Sequence, residues 1–267
     1  MRRRAPGAAV TPAGQVGLAA LQAHPERAVV ALDYDGTLAP VVSRPSDALP
    51  AGGAVEVLHA LSARVGTLAL VTGRPADVVV ELAGLQDVPG LIVIGQYGAQ
   101  RWHGGALTAA APVAGIRQAR AVLPGMLGAE GATVEDKGLS LVVHTRQSRD
   151  PHGALARLTP SVATMADLFG LEAHPGRLVL ELRPPGFDKG AALRSLCGTG
   201  PSAVLFAGDD VGDLPAFDVV EELRARGVPG VAVCSGSEEG PTALRERADL
   251  VVDGPTGVVT LLQTLVP

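Results

Sequence analysis

The fold of this chain is decided by the stretch VVALDYDGTL, which runs from Val29 to Leu38. Its apolar segment ends in two carboxylates, Asp33 and Asp35, and a glycine and a threonine follow at once. A short apolar run bounded by turn residues is typical of a strand buried on both faces of a parallel sheet. Ligands of such sheets bind at the carboxyl ends of the strands. We therefore expect a binding site here, although a lone Asp-x-Asp more often forms a capped turn.

Three further polar clusters follow apolar runs later in the chain. They are Thr72–Arg74, Asp188–Gly190 at the head of a helical pattern, and Gly208–Asp213. An acid pair, a hydroxyl turn, a lysine and an acid cluster in this order suit phosphoryl transfer with an aspartyl intermediate. Together the four clusters indicate an enzyme rather than four unrelated turns.

The acid pair supplies the predicted chemistry. We expect Asp33 to attack phosphorus as a carboxylate nucleophile, and Asp35 to protonate the leaving alcohol and then activate water. Mg²⁺ on Asp33, the backbone carbonyl of Asp35 and Asp209 would screen these acids from an incoming phosphate dianion. Lys189 would supply a fixed positive charge opposite the metal.

The other polar residues of the clusters have supporting roles. Thr72 and the free backbone N–H groups beside Gly73 would bind a phosphate oxygen at a helix start. We expect Asp213 to orient a metal-bound water, and Asp210 either to do the same or to bind the metal itself. For Arg74 two interpretations stay open: a solvated cation at the helix start, or a salt-bridge partner of the acids.

Composition limits the class of protein. The chain has 267 residues, 47% of them hydrophobic but only 3% aromatic, and a formal net charge of −5. This favours a compact core of Ala, Val and Leu, and without a basic tract it argues against a nucleic-acid partner. Cys197 and Cys234 match no metal spacing, which predicts reduced thiols in a cytoplasmic protein. No segment approaches the roughly 20 apolar residues of a membrane span, so we expect a soluble protein without a membrane partner.

Alternating strand and helix patterns organise most of the chain. From residue 28 onward they predict an α/β fold with a doubly wound, mainly parallel sheet. Residues 1–24 are expected to form a loose N-terminal leader with a short helix. From residue 108 to 185 the pattern becomes αββαββ with period-2 strands, which predicts an inserted α+β unit with an antiparallel sheet. The predicted core therefore comprises residues 1–107 and 186–267, and the predicted cap comprises residues 108–185.

The four clusters resemble the motifs of the haloacid dehalogenase superfamily of phosphatases in order and spacing. The run Asp33–Pro40 is similar to the first motif of its trehalose-6-phosphate phosphatases, and Thr72–Arg74, Lys189 and Gly208–Asp213 are similar to the other three. The resemblance implies a Rossmann-like core of haloacid dehalogenase type with a mobile αββαββ cap. It implies Asp33 as nucleophile, Asp35 as general acid and base, and Mg²⁺ on Asp33, Asp35 and Asp209. With the two neighbouring acids, the predicted metal site comprises Asp33, Asp35, Asp209, Asp210 and Asp213.

Segments within the predicted cap also resemble that family. Glu135–Gly138 and His144–Arg146 look like its cap strand pair, and Glu181–Pro184 is similar to the segment that brings a glutamate and a basic residue over the sugar. Gly95–Gln100 resembles a glycine turn that usually ends in glutamate, and glutamine there keeps an acceptor but loses the charge. The predicted catalytic residues are Asp33, Asp35, Thr72 and Lys189. The predicted substrate contacts are Asp33, Tyr34, Asp35, Thr72, Gly73, Arg74, Gln100, Lys137, Arg146, Glu181, Arg183 and Lys189.

The predicted function is Mg²⁺-dependent hydrolysis of trehalose 6-phosphate to trehalose and phosphate, a step of trehalose biosynthesis, through an aspartyl-phosphate intermediate. Three alternatives stay open. The chain could be another capped phosphatase, acting on sucrose phosphate or a glycosyl phosphoglycerate, or a phosphoryl-transferring mutase. It could also be a non-catalytic sugar-phosphate-binding partner of a synthase. A trehalose-6-phosphate synthase is the protein partner that the resemblance suggests.

Overall fold

A computed structural model of the protein describes residues 9–176, 178–237 and 240–266. The chain divides into two compact units, a core unit that ends at Thr108 and resumes at Asp188, and an inserted unit, Ala109–Phe187. The sequence placed the insert at residues 108–185. That the inserted unit acts as a mobile cap stays a prediction.

The helices and strands alternate along most of the chain. The strands are β1 (Val29–Leu32), β2 (Thr67–Val71), β3 (Ile92–Gly95), β4 (Gln100–His103), β5 (Ala106–Ala109), β6 (Thr133–Asp136), β7 (Leu141–His144), β8 (Glu172–Gly176), β9 (Val179–Arg183), β10 (Val204–Gly208), β11 (Gly230–Gly236) and β12 (Leu250–Asp253). The helices are α1 (Pro12–Ala23), α2 (Ala54–Ser62), α3 (Ala76–Ala83), α4 (Ala114–Leu127), α5 (Pro151–Leu168), α6 (Lys189–Leu196), α7 (Leu214–Ala225), α8 (Thr242–Arg247) and α9 (Gly254–Gln263). Among the described residues, no helix is both long and apolar enough to span a membrane.

The core unit is built on one sheet with the strand order β12-β11-β10-β1-β2-β3-β4-β5. The pairs from β12 to β3 are parallel. Both faces of this sheet are buried, because successive residues of β1 alternate between two apolar clusters. Val30 and Leu32 belong to one cluster, and Val29 and Ala31 to the other. The predicted doubly wound α/β fold is therefore confirmed.

Strand register places the predicted catalytic loops side by side. Leu32, the last residue of β1, pairs with Ala207 of β10 and with Leu70 of β2. Because these strands are parallel, the loops that follow them leave the same edge of the sheet. Asp33, Thr72 and Asp209 therefore begin at neighbouring strand ends, although more than 170 residues separate the first from the last.

The short helix expected within residues 1–24 is present, but it is not loose. The helix α1 exists, but it is fixed to the core: the backbone N–H of Thr11 donates to the carbonyl of Asp249 at 3.0 Å. Gly17 allows α1 to approach β11 closely, since a Cβ at this position would lie 2.5 Å from the carbonyl oxygen of Gly230. The part of the expected leader formed by residues 1–8 lies outside the described residues.

The edge of the core sheet carries a hairpin that the sequence did not predict. Strand β4 runs antiparallel to β3 and is followed by β5 after a glycine turn. Within β4 only Trp102 is buried, and the remaining side chains are half-buried or exposed. A strand with one apolar residue lacks the hydrophobic alternation that identifies a strand from sequence.

The inserted unit has an antiparallel sheet with the order β6-β7-β9-β8. One face packs on α4 and α5 through an apolar cluster that includes Leu141, Val143, Leu180 and Leu182. Strand alternation turns the intervening residues to the other face, as the period-2 pattern predicted. We call this other face the polar face, and the residues on it that concern us are Glu135, His144, Glu172, His174, Glu181 and Arg183.

Candidate active site

A buried ion pair joins the first and third sequence clusters. Asp33 directly follows β1, and its backbone N–H donates to the carbonyl of Ala207 at 2.9 Å, which extends the parallel pairing by one residue. Lys189 is the first residue of α6, and its Nζ lies 2.7 Å from Oδ1 of Asp33. Only 4% of Asp33 and 5% of Lys189 is exposed, so the pair is withdrawn from bulk water. The structure thus brings the predicted nucleophile and the predicted lysine together.

Asp213 fixes both the lysine and the loop after β10. Its Oδ1 accepts a hydrogen bond from Nζ of Lys189 at 2.7 Å. Its Oδ2 accepts from the backbone N–H groups of Asp209 and Asp210, at 3.0 and 3.1 Å. The residue is fully buried. Asp213 therefore positions groups around it, in keeping with the prediction that it supports the site rather than reacting.

The carboxylates in this cluster outnumber the cations. Asp33, Asp209 and Asp213 each offer an oxygen within 4.8 Å of the others. If all three are ionised beside Lys189, the local charge is −3 + 1 = −2. A divalent cation would balance this charge, and carboxylate oxygens are the ligands that Mg²⁺ prefers. The donor set therefore fits the predicted metal.

The pKa values of these groups reflect the same crowding. Burial raises the pKa of Asp33 well above its usual value, and Asp213 and Asp209 add to this while Lys189 opposes it. Burial, followed by the charge of Asp213, raises the pKa of Asp209 to about 7. Burial alone would lower the pKa of Lys189, but the carboxylates of Asp213 and Asp33 raise it well above the ordinary value. The lysine thus remains charged, and a nearby cation would stabilise the ionised form of the acids.

Gly36 permits the close approach of the first and fourth clusters. Its φ is +76°, and a Cβ at this position would lie 2.0 Å from Oδ2 of Asp209. The carbonyl of Gly36 also accepts a hydrogen bond from the hydroxyl of Ser235, at 2.6 Å. Only glycine suits both the left-handed backbone and the close contact. The absence of a side chain at Gly36 thus lets the loop after β1 lie directly against the side chain of Asp209.

Arg74 is the salt-bridge partner of Asp35, which decides between the two interpretations of this residue. Its Nε and Nη2 donate to the two oxygens of Asp35, each at 2.6 Å, and its Nη1 donates to the carbonyl of Pro45 at 2.8 Å. The guanidinium carbon also lies 5.7 Å from the ring centroid of Tyr34. A bidentate pair fixes the plane of the carboxylate as well as its position. Arg74 therefore orients the predicted general acid.

Two predicted metal ligands are not in the buried cluster. The carboxylate of Asp210 is exposed, and it accepts a hydrogen bond from the backbone N–H of Gly212 as the N-cap of the short turn Val211–Asp213. Asp210 is not among the three acids whose oxygens converge within 4.8 Å, so its role as a metal ligand stays a prediction. The side chain of Asp35 is occupied by Arg74, so only its backbone carbonyl is left for the predicted metal contact.

The turn after β2 is held by the loop after β3. The hydroxyl of Thr72 accepts from the backbone N–H of Arg74 at 3.1 Å. The backbone N–H of Tyr97 donates to the carbonyl of Thr72 at 3.1 Å, and that of Gln96 donates to the carbonyl of Arg74 at 2.9 Å. These contacts fix the predicted phosphate-binding turn from one side.

Tyr97 is a residue at this turn that the sequence analysis missed. A Cβ on Gly73 would lie 2.6 Å from the hydroxyl of Tyr97, so the ring covers the glycine of the turn. Tyr97 has φ of 59° and Gln96 has φ of 46°, a left-handed backbone that costs of order 1–3 kcal/mol for each non-glycine residue. The flanking Gly95 and Gly98 were the signal for a special turn, but they do not show where the tyrosine ring lies.

Two predicted substrate contacts have other partners in the core unit. The side chain of Tyr34 is fully buried and donates to the carbonyl of Ala48 at 2.6 Å, and burial raises its pKa to about 12. A substrate contact through this side chain is therefore wrong. The side-chain oxygen of Gln100 accepts from the backbone N–H of Ala76, at 2.9 Å, at the start of α3. A glutamate at this position could accept the same bond, so this contact does not depend on which of the two residues is present.

The predicted sugar contacts of the inserted unit lie on or beside its polar face. Nζ of Lys137 is 3.6 Å from Oε1 of Glu181, and the hydroxyl of Ser140 donates to the same oxygen at 3.0 Å. Nη2 of Arg183 lies 3.1 Å from Nδ1 of His174. Arg146 is exposed, two residues beyond the end of β7. Among the four predicted sugar contacts of the inserted unit, the structure thus brings Lys137 and Glu181 together.

Comparison with known sequences identifies the family. Residues 31–249 match the family model described as trehalose-phosphatase. A trehalose-phosphate phosphatase of Mycobacterium tuberculosis (strain ATCC 25618 / H37Rv) is 34% identical over 252 residues, which cover 88% of this chain and 60% of that protein. The chain therefore spans about 60% of the length of this curated relative.

Comparison with solved structures supports the fold. The C-terminal domain of the trehalose-6-phosphate phosphatase of C. albicans is similar with a TM-score of 0.81 and 19% identity, covering 100% of this chain and 99% of that one. The Aspergillus fumigatus trehalose-6-phosphate phosphatase, crystal form 3, has a TM-score of 0.70 and 22% identity over 96% of this chain and 98% of its own. At these identities the likeness concerns the arrangement of helices and strands.

Proposed function

The chain belongs to the trehalose-phosphatase family, and from this premise we propose that it hydrolyses trehalose 6-phosphate to trehalose and phosphate. The observation that carries the proposal is the buried pair of Asp33 and Lys189, with two further carboxylates beside it. Burying crowded carboxylates at a strand end destabilises the fold. Such groups cluster at functional sites, which is why this pair supports a catalytic role.

The reaction would proceed in two steps on Asp33. In the first, its carboxylate oxygen attacks phosphorus, and the bond from phosphorus to the sugar oxygen breaks. Asp35 gives its proton to that oxygen, so the sugar leaves as a neutral alcohol. In the second, Asp35 takes a proton from water as the water attacks the aspartyl phosphate, and Asp33 is released with phosphate. The bidentate contact of Arg74 orients Asp35 in its ionised form, and one of these two hydrogen bonds must loosen when Asp35 carries the proton of the first step.

The buried cluster would also hold the metal. Asp33, Asp209 and the backbone carbonyl of Asp35 would bind Mg²⁺. Bound there, Mg²⁺ would offset the excess negative charge of the carboxylates and stabilise charge that develops on the phosphoryl oxygens. Lys189, held by Asp213, would supply the second positive charge, and Thr72 with the backbone at Gly73 would bind a phosphoryl oxygen.

Sugar recognition is assigned to the inserted unit. We propose that Lys137, Glu181 and Arg183 on and beside the polar face bind the hydroxyl groups of the disaccharide, and that Arg146 adds a contact. Mixed donors and acceptors suit this ligand, because sugar hydroxyls both donate and accept. Closing of the inserted unit as a cap would exclude water from the reaction. Cytoplasmic location and action beside a trehalose-6-phosphate synthase remain predictions of the same kind.

A panel of sugar phosphates tests the proposal. Phosphate release is measured from trehalose 6-phosphate, sucrose phosphate and a glycosyl phosphoglycerate, each with Mg²⁺ and with chelator. We expect the largest kcat/KM for trehalose 6-phosphate and loss of turnover with chelator. Faster phosphate release from another member of the panel would refute trehalose 6-phosphate as the preferred substrate. Undiminished turnover in chelator would refute the metal requirement.

A further inference from the structure

His174 lies on the polar face between a carboxylate and a guanidinium. In the register of β8 and β9 it is paired with Glu181, and its neighbour Glu172 is paired with Arg183. Its Nε2 is 3.0 Å from Oε2 of Glu172, and its Nδ1 is 3.1 Å from Nη2 of Arg183. The imidazole thus connects a half-exposed carboxylate with an arginine that is only 9% exposed.

These contacts define the tautomer of the ring. An arginine has only N–H donors, so Nδ1 of His174 must be the acceptor of the Arg183 hydrogen bond and carry no proton. The proton therefore resides on Nε2, which donates to Glu172. The neutral Nε2–H form satisfies both contacts. A second proton, on Nδ1, would set N–H against N–H and break the bond to Arg183.

We propose that His174 is a positioning residue for sugar binding: its neutral imidazole holds Arg183 in its substrate-binding orientation, and protonation of the ring releases it. The proposal rests on the proposed function, in which Arg183 contacts the disaccharide. It adds a residue outside the sequence motifs and a pH dependence of substrate binding.

The charges around the ring favour the neutral form at neutral pH. Among the described residues, the charged groups that face it are Glu172 on the same strand and Glu181 and Arg183 on β9, while α5 packs on the opposite face of the sheet. Burial, followed by the charge of Arg183, lowers the pKa of His174 below 6.5, although both glutamates oppose the shift. Protonation of His174 therefore requires a lower pH than that of an ordinary histidine.

Two substitutions separate the hydrogen bond from the ring itself. In His174→Leu the acceptor for Arg183 is lost, and we expect KM for trehalose 6-phosphate to rise about tenfold with kcat little changed. In His174→Asn the amide oxygen can occupy the position of Nδ1, so KM should stay within about threefold of the unsubstituted protein. An unchanged KM in His174→Leu, or equal losses in both variants, would refute the positioning role.

The pH profile gives a second readout. In the unsubstituted protein KM should rise more steeply as the pH falls below neutrality than in His174→Asn, because the amide does not titrate, whereas the substrate phosphate and Asp209 titrate in both proteins. His152→Asn, at an exposed histidine of α5, is the matched control and should keep the rise. The same rise in His174→Asn as in the unsubstituted protein would show that the imidazole does not contribute, and would overturn the proposal.

A titration of the free protein distinguishes failure of this inference from failure of the proposed function. Imidazole ¹⁵N NMR without substrate should show the Nε2–H tautomer of His174 and a pKa below 6.5, and Arg183→Met should raise that pKa. If these signals appear while trehalose 6-phosphate is not hydrolysed, the hydrogen bond between His174 and Arg183 is supported and the proposed substrate is refuted. An Nδ1–H tautomer, or no response to Arg183→Met, would remove the contact on which the inference depends.

Discussion

The buried cluster of the core unit and the polar face of the inserted unit use charged side chains in different ways. In the core unit, the side chains of Asp33, Asp213 and Lys189 are each at most 6% exposed, and the carboxylate of Asp213 accepts from the backbone N–H of Asp209 in the loop after β10. On the polar face the side chains of Glu172 and His174 are 50% and 36% exposed, whereas Glu181 and Arg183 are buried. Buried charges without partners are costly, whereas half-exposed ones are screened by water. Because the core cluster holds the proposed nucleophile and the polar face holds the proposed sugar contacts, changes in the core cluster should abolish function, and changes on the polar face should adjust it.

The largest effect is expected from Asp33→Asn. The amide is not a nucleophile, so kcat should fall at least about a thousandfold. The fold should be retained, because the substitution is isosteric and removes one of three crowded negative charges. The measurement is phosphate release together with thermal denaturation. Asp87→Asn, at an exposed acid of the core unit, is the control and should change neither; activity that survives in Asp33→Asn would refute the mechanism.

Lys189→Met should destabilise the fold as well as remove activity. It leaves Asp33 and Asp213 without their buried cation, and breaking a buried pair on one side costs about 3–5 kcal/mol. Urea denaturation in chelator should show this loss in the free energy of unfolding, and Mg²⁺ should restore part of it. Arg194→Met, at an exposed cation of the same helix, should cost less than about 1 kcal/mol. A similar cost at both positions would contradict the difference between buried and exposed charge.

The metal-free protein should lose stability as the pH rises toward neutrality. The pKa of Asp209 is raised from 3.8 to about 7 by burial and by Asp213. A group with a raised pKa in the folded state stabilises the fold below its unfolded pKa, and that contribution is lost as the pH rises through its folded pKa. Thermal unfolding in chelator between pH about 4 and about 7 should show this decline.

Two controls sharpen that pH measurement. Asp209→Asn should make the decline shallower, because the amide does not titrate. Saturating Mg²⁺ should reduce it in the unsubstituted protein, since the metal stabilises the ionised carboxylates. Melting temperatures that do not change with pH in chelator would show that repulsion among the buried carboxylates does not affect stability.

The smallest effect is expected from Glu181→Gln on the polar face. The amide keeps an acceptor for Ser140 but loses the ionic attraction to Lys137. KM for trehalose 6-phosphate should rise about tenfold, or about 1.4 kcal/mol of binding, while kcat and the melting temperature change little. Steady-state kinetics check this. A fall in kcat as deep as that of Asp33→Asn would show that the two regions do not divide binding and chemistry as proposed.

The sequence was sufficient to predict which residues gather at the strand ends of the core, because each cluster there is local. An apolar run that ends in Asp33, and others that end in Thr72 and Gly208, identify parallel strands and one edge of a sheet. The same reasoning found the insert, since a change from continuous apolar runs to period-2 strands marks a sheet with one polar face.

Side-chain direction within the clusters was not predictable to the same degree. Asp209 and Asp210 are neighbours of the same type, yet one joins the buried cluster and the other caps a turn. Tyr34 lies between two acids of the first motif, but its ring is in the core. Nothing local distinguishes these neighbours, because the choice depends on hydrogen-bond partners far away in the chain.

The sequence by itself determined the doubly wound core, the inserted unit and the acids and lysine of the cluster, because strand periodicity and the polarity of strand ends are short-range properties. Only the tertiary structure decided that Arg74 pairs with Asp35, that Tyr97 covers Gly73 and that His174 holds Arg183. Each of these contacts joins two segments that meet through strand register or loop packing. Such contacts depend on how distant segments pack in the whole fold, and the sequence of one segment does not determine them.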